Sequence, residues 1–203
     1  MPDTPLVLAF DTSAALCAAA LLSGDQILAS AQEEMAKGQA ERLMVLCQEI
    51  LQSADISFQD LDAIGVGIGP GNFTGIRISV SAARGLALGL GKPAIGVSTF
   101  DALRWGAIGP CACAVDARQG QVYLKGYENP SLADPAQYDA LSLPSFDGPL
   151  IGMGGQAPAF PIAEAIAQIA ADRLGKDQSR PAPLYLRPAD AAPPRDAPPV
   201  ILP

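Results

Sequence analysis

The stretch Leu61-Asp62-Ala63-Ile64-Gly65-Val66-Gly67-Ile68-Gly69-Pro70-Gly71-Asn72-Phe73-Thr74-Gly75-Ile76-Arg77 passes from an apolar β-type run through a glycine loop into a helix. Asp62 to Ile68 reads as a strand, Gly69 to Gly75 as a tight loop, and the helix continues to about Leu90. A strand delivered directly into a helix is the unit of an α/β fold. Gly69, Pro70, Gly71, Phe73, Thr74 and Gly75 are therefore read as a structural loop. Its glycines set amides at a helix start, which leaves two readings open: an anion site, or close packing of helix on strand. A P-loop is excluded, because Ile76-Arg77 stands where Lys-Ser or Lys-Thr is required.

The helix beyond the loop has almost no polar face, since only Arg77 and Arg84 are charged. Ile78, Ala82, Gly85 and Gly89 share one stripe, and each mid-helix glycine costs ~0.8–1 kcal/mol relative to alanine. That cost is intelligible where a second backbone must come close. Gln39 to about Ser53 forms another helix, with Leu43, Leu46, Cys47, Ile50 and Ala54 at helical spacing. Met44, Val45 and Leu51 widen its apolar surface beyond what one sheet face needs. Together the two helices predict a partner surface carried by Leu43, Met44, Leu51, Ile78, Ala82, Gly85 and Gly89. The bland alternative is that both are covered by their own chain.

Working outward, Leu6–Phe10, Ala18–Leu22 and Gln26–Gln32 form a three-stranded meander, with a hairpin turn at Ser23-Gly24-Asp25. Its first turn carries Asp11-Thr12-Ser13. After Pro93–Val97 and a short helix capped by Ser98 or Thr99, the pattern restarts: Cys111–Asp116, the turn Ala117–Gly120, then Gln121–Tyr127. A Pro-rich irregular stretch, a strand at Leu150–Met153 and a helix over Ile162–Leu174 follow. Strand–Asp–turn–strand thus occurs twice, at Asp11 and at Asp116, and suggests two related lobes; two unrelated hairpins is the competing view. Paired Asp turns across a cleft are how actin-like and sugar-kinase-like ATPases hold magnesium and phosphate. Here Thr12, Ser13 and Ala14 would crowd a triphosphate. The expected division is an N-terminal lobe over 1–105, a smaller lobe over 106–180 and a tail over 181–203, where eight prolines argue for extended chain.

Composition narrows the chemistry. The 203 residues carry 13 Lys+Arg, 21 Asp+Glu and no His, giving a net charge of −8. The commonest metal ligand and general base is missing, and the charge argues against gripping nucleic acid unaided. Cys17, Cys47, Cys111 and Cys113 sit in apolar surroundings and read as reduced buried thiols. Met1 to Phe10 has no basic leader, and the longest apolar run, Ala14–Leu22, is nine residues, so a cytoplasmic protein without a membrane span is expected.

In order along the chain, Leu8–Ser13, Ala40-Glu41-Arg42-Leu43, Leu61–Gly67 into Gly69–Arg77, Gly85–Leu88, Gly96–Thr99, Val115–Arg118 with Val122-Tyr123, and Pro183–Arg187 resemble the TsaB (YeaZ) family of tRNA threonylcarbamoyladenosine biosynthesis proteins. The resemblance implies an actin-like (ASKHA, ribonuclease H-like) α/β fold of two lobes, with mixed sheets flanked by helices. It implies a non-catalytic subunit, paired with the catalytic TsaD through the two N-terminal-lobe helices and working with the ATPase TsaE. That complex puts threonylcarbamoyl on the adenosine beside the anticodon of tRNAs reading A-starting codons. tRNA would be met only through the complex, and any ATP and magnesium would belong to the assembly. Asp11, Thr12, Ser13 and Asp116 would mark a vestigial nucleotide cleft, with no metal site; alone, the chain could pair with itself. Two departures stand out, Gln39 for a frequent His and Asn72 for a usual Ser. A stand-alone actin-like ATPase or kinase is the competing function. A metallopeptidase lacks its ligands.

Overall fold

The computed structural model describes residues 4–186. Two sheets organise the chain. The first is built from β1 (Leu6–Asp11), β2 (Leu16–Ser23), β3 (Gln26–Glu34), β4 (Ala63–Gly67) and β5 (Ala94–Val97), in the order β3-β2-β1-β4-β5. The second contains β6 (Cys111–Arg118), β7 (Gln121–Tyr127), β8 (Ala136–Asp139) and β9 (Leu150–Gly152), in the order β8-β7-β6-β9. In each, an antiparallel hairpin is joined on its first strand by a parallel strand, β4 on β1 and β9 on β6. The second sheet therefore repeats the strand order and directions of the first four strands of the other. Asp11 and Asp116 occupy matching places, late in the first strand of each hairpin.

Helices cover both faces of the first sheet. α1 (Gln39–Ser53) and α2 (Phe73–Leu90) pack on one side, where Leu8, Phe10, Leu21 and Ile64 meet Leu43, Leu46, Ile50, Ile76 and Val80 in a single core. On the other side, Val7, Ala9, Ala63 and Ile95 meet α4 (Ile162–Arg173). β1 and β4 are sandwiched between the helix layers, which explains their unbroken apolar runs. α3 (Thr99–Arg104), with the Ser98 hydroxyl accepting from the Asp101 amide, links the sheets.

Three expectations need correcting. The helix at 162–173, assigned to the second lobe, packs instead on β1, β2 and β4 of the first sheet. Gly65 explains the fit: a side chain there would press on Ala170 and Ile166, so a bare backbone in β4 lets α4 approach closely. The supposed irregular stretch contains β8, which pairs antiparallel with β7 at the sheet edge. The tail is not loose from its start: Pro181 is buried and the Leu184 amide donates to the Ile68 carbonyl at 2.8 Å. Arg187 and the rest of the tail lie outside the described residues, as do residues 1–3.

Asp101 ties the layers together. It accepts from the Tyr127 hydroxyl of β7 at 2.7 Å and from Arg173 of α4 at 3.0 Å, with Lys125 at 3.9 Å. Burial opposes its ionisation, but these donors outweigh that and hold the carboxyl below its ordinary range.

Candidate partner surface and inter-sheet cleft

The glycine loop and the Asp11 turn pack directly on one another. Thr12 Oγ1 donates to the Gly75 carbonyl at 2.7 Å, and the Asn72 amide donates to the Ser13 carbonyl at 2.6 Å. A Cβ at Gly75 would overlap the Thr12 carbonyl oxygen, and one at Gly71 would overlap that of Ser13. Close backbone approach is thus the reason for both glycines. Of the two readings left open for this loop, packing is the one its geometry satisfies. Two of the donors an anion would need are already taken, since Asn72 Oδ1 accepts from the amides of Thr74 and Gly75 at 3.0 and 3.1 Å. Asn is as good an N-cap as Ser, so the departure at 72 leaves the helix start capped. Gln39 likewise serves locally, donating from Nε2 to the Met35 carbonyl.

The four residues expected to share a nucleotide cleft do not all reach it. A cleft of about 640 Å³ opens between the sheets, lined by Ser13, Gly71 and Asn72 on one wall and by Asp116 and Arg118 on the other. Asp11 and Thr12 are buried beneath that wall, at 2% and 0% exposure. Asp11 Oδ2 accepts from Ser13 Oγ at 2.8 Å, while Oδ1 has no hydrogen-bond partner among the described residues. A Cβ at Gly67 would strike the Asp11 carboxyl, so β4 leaves just enough space for it. Asp116 is exposed, and its Oδ1 accepts from the Arg118 amide. The vestigial-cleft reading is corrected accordingly: Ser13 and Asp116 face the cleft, and Asp11 does not.

Burial pushes the Asp11 carboxyl above its ordinary 3.8, against the opposing hydrogen bonds from Ser13 and Thr12. An acid whose pKa is raised by folding stabilises the fold fully below about 3.8, and loses that contribution as pH climbs through the folded value. Asp11→Asn removes the titration and keeps an acceptor for Ser13. The melting temperature of Asp11→Asn relative to wild type should therefore rise between pH 4 and pH 8, followed by circular dichroism. A difference that stays flat or falls with pH would mean that Asp11 is comfortably ionised. Burial likewise pushes the Cys17 thiol up to about 11 and those of Cys47 and Cys113 up to about 12, which disfavours their reactive thiolate forms.

The outer side of the α1–α2 layer is the other feature. Leu43 and Leu51, expected on a partner surface, are at 0% and 2% exposure and belong to the chain's own core. Their spacing served the sheet after all. Ile78 and Ala82 are half-buried against that core. Met44 at 37%, Val45 at 48% and Leu88 at 87% are left exposed. Gly85 and Gly89 face solvent, and a Cβ on either would meet nothing within 4 Å. In contrast to Gly71 and Gly75, no contact among the described residues requires a glycine at either position. Arg42, in the Ala40–Leu43 motif, clamps α1 to β3 by pairing with Glu33 and also Glu49, both at 2.5 Å. At the far end of the layer, Phe73 stacks on Tyr185 with centroids 4.7 Å apart, and Arg77 lies over the Phe73 ring and donates to the Tyr185 hydroxyl.

Among the described residues, no group of three or more His, Cys, Asp or Glu is placed to hold a metal, and no helix is long and apolar enough to cross a membrane. The family model for TsaD, tRNA N6-adenosine threonylcarbamoyltransferase, matches residues 26–145. The tRNA threonylcarbamoyladenosine biosynthesis protein TsaB of Escherichia coli is 37% identical over 60% of this chain. The chain spans about half of that relative's length, 54%, in the matched region. An uncharacterized protein of Mycobacterium tuberculosis is 32% identical over 92% of this chain and 94% of its own length. The solved structure of YeaZ from Pseudomonas aeruginosa superposes with a TM-score of 0.74 at 28% identity, covering 90% of this chain and 100% of that one. The two mixed sheets with flanking helices are an actin-like fold, and the chain belongs to the TsaB (YeaZ) family.

Proposed function

We propose that this chain is a non-catalytic subunit of the machinery that installs threonylcarbamoyl on the adenosine beside the anticodon, and that it docks on the catalytic subunit TsaD through the outer side of α1 and α2. The observation that carries the reading is the bare stripe at Gly85 and Gly89. Gly85, in the helix interior, costs ~0.8–1 kcal/mol of helix propensity relative to alanine, and nothing in the described chain uses the space that it or Gly89, in the last turn of α2, leaves. A facing helix would use it, because glycine lets two backbones approach closely. Met44, Val45 and Leu88 supply apolar surface on the same helix layer, the kind of exposed area that marks an interface. The partner surface is thus narrower than the seven residues first expected, without Leu43 and Leu51.

The rival reading, a stand-alone ATPase, requires Asp11 to reach a nucleotide, and its burial beneath the cleft wall speaks against that. The domain division follows the same logic: the first sheet with α1, α2 and α4 is the docking body, and the second sheet builds the far wall of the cleft. Mixing the purified chain with TsaD and measuring mass by sedimentation tests the docking. A one-to-one complex is expected, replacing any pairing of the chain with itself. Two species sedimenting independently would reject it.

A further inference from the structure

A second concavity, of about 760 Å³, lies between the C-terminal end of α2 and the segment that follows α4. Arg84, Lys92, Arg173, Lys176 and Arg180 line it, with Asp177 as the sole acidic residue among the described ones; Gly85 and Leu88 also line it, so the concavity borders the α2 face assigned above to TsaD. Five of the 13 basic residues of a chain with net charge −8 thus meet in one place. Their positions span 84 to 180, so they look scattered in sequence and are gathered only by α4 folding back onto the first sheet.

Three of the five are partly engaged. Arg173 is held by Asp101 and the Gly96 carbonyl, Lys176 pairs with Asp172 at 3.0 Å, and Lys92 lies 3.9 Å from Asp62. Arg84 and Arg180 are exposed and have no ion-pair partner among the described residues. Two free guanidinium groups at opposite walls, with ammonium groups beside them, suit phosphate, which guanidinium binds through paired hydrogen bonds.

We infer that this groove holds a stretch of the tRNA phosphate backbone when the chain sits in its complex; the inference rests on the function proposed above. An acidic peptide is the rival occupant, and the local backbone disfavours it. β5 is the edge strand beside the groove, but its outer side is closed to an added strand. Arg173 occupies the outward-facing Gly96 carbonyl, and Pro181 lies against Gly96. Phosphates need no strand pairing. The groove is a contributing contact and not a stand-alone site, since the surrounding carboxylates and the net charge keep the isolated chain from binding tRNA appreciably at physiological salt.

The test uses the assembled complex of this chain with TsaD and TsaE and an unmodified tRNA transcript, titrated over a series of salt concentrations. The variant is Lys176→Glu with Arg180→Glu, both exposed and both away from α2, and Lys37→Glu outside the groove is the charge control. The double variant should assemble normally and bind tRNA about tenfold or more weakly. Its slope of log K against log salt should fall by roughly one per lost phosphate contact, while the control stays near wild type. Unchanged affinity and slope in an intact complex would overturn the groove and leave the proposed function standing. Loss of assembly with TsaD in the double variant would overturn it in favour of an acidic protein segment. Failure of the wild-type chain to assemble would remove the reading on which the inference rests.

Discussion

Gly75→Ala is expected to cost about 3 kcal/mol or more, at the upper end of what overpacking a tight site costs. One methyl group is added, but it is aimed at the Thr12 carbonyl oxygen, and neither side can retreat. Gly75 is buried in the first turn of α2, and its own carbonyl accepts from Thr12 Oγ1. The Thr12–Ser13 turn is held in place by the Asn72 amide. In a chain of this size, 3 kcal/mol lowers the melting temperature by roughly 6–12 °C. Urea unfolding followed by far-ultraviolet circular dichroism should show a midpoint shifted well down. A midpoint equal to wild type would mean that the turn and the helix start can move apart freely.

Ten residues along the same helix the expected outcome reverses. Gly85→Leu should leave the isolated chain as stable as wild type or more so, because position 85 is exposed, a Cβ there meets nothing within 4 Å, and the change gains helix propensity on the order of 0.8 kcal/mol. Binding to TsaD should weaken by roughly ten- to over a hundredfold, as ~1–3 kcal/mol or more of overpacking is transferred to the interface. Melting and binding measured on one preparation separate the cases. A destabilised monomer would place Gly85 in the chain's own core. A stable monomer with undiminished binding would place the partner elsewhere.

The contrast between Gly75 and Gly85 shows how far residues alone carry the reading. The period of apolar positions located α1 at Gln39–Ser53, and the run past the glycine loop located α2 through Leu90. Periodicity says that a face is apolar, not what it faces. Leu43 and Leu51 therefore read as partner contacts in the sequence, although the first sheet covers both. The same ambiguity misassigned α4. A signal was available in Gly65, a glycine inside a buried strand, matched by the alanines of 162–173, since small residues on both sides mean two backbones in close contact. Gly67 held a comparable clue to Asp11, because a strand lacking a side chain there leaves room for a carboxyl from its neighbour. β8 is not legible in the sequence, because four residues at a sheet edge, set among prolines, carry too little alternation to stand out. The basic groove was illegible in principle: its charges become neighbours only once the helix at 162–173 has crossed back.

The most direct test of the account is threonylcarbamoyl transfer to tRNA reconstituted from TsaD, TsaE, ATP and the threonylcarbamoyl adenylate, with this chain added or left out. Modified adenosine should accumulate only when the chain is present, and should continue to accumulate with Asp11→Asn or Asp116→Ala in place of wild type, since neither carboxyl is assigned a chemical step. Full transfer without the chain, or transfer abolished by either substitution in a folded protein, would contradict a supporting subunit that performs no chemistry of its own.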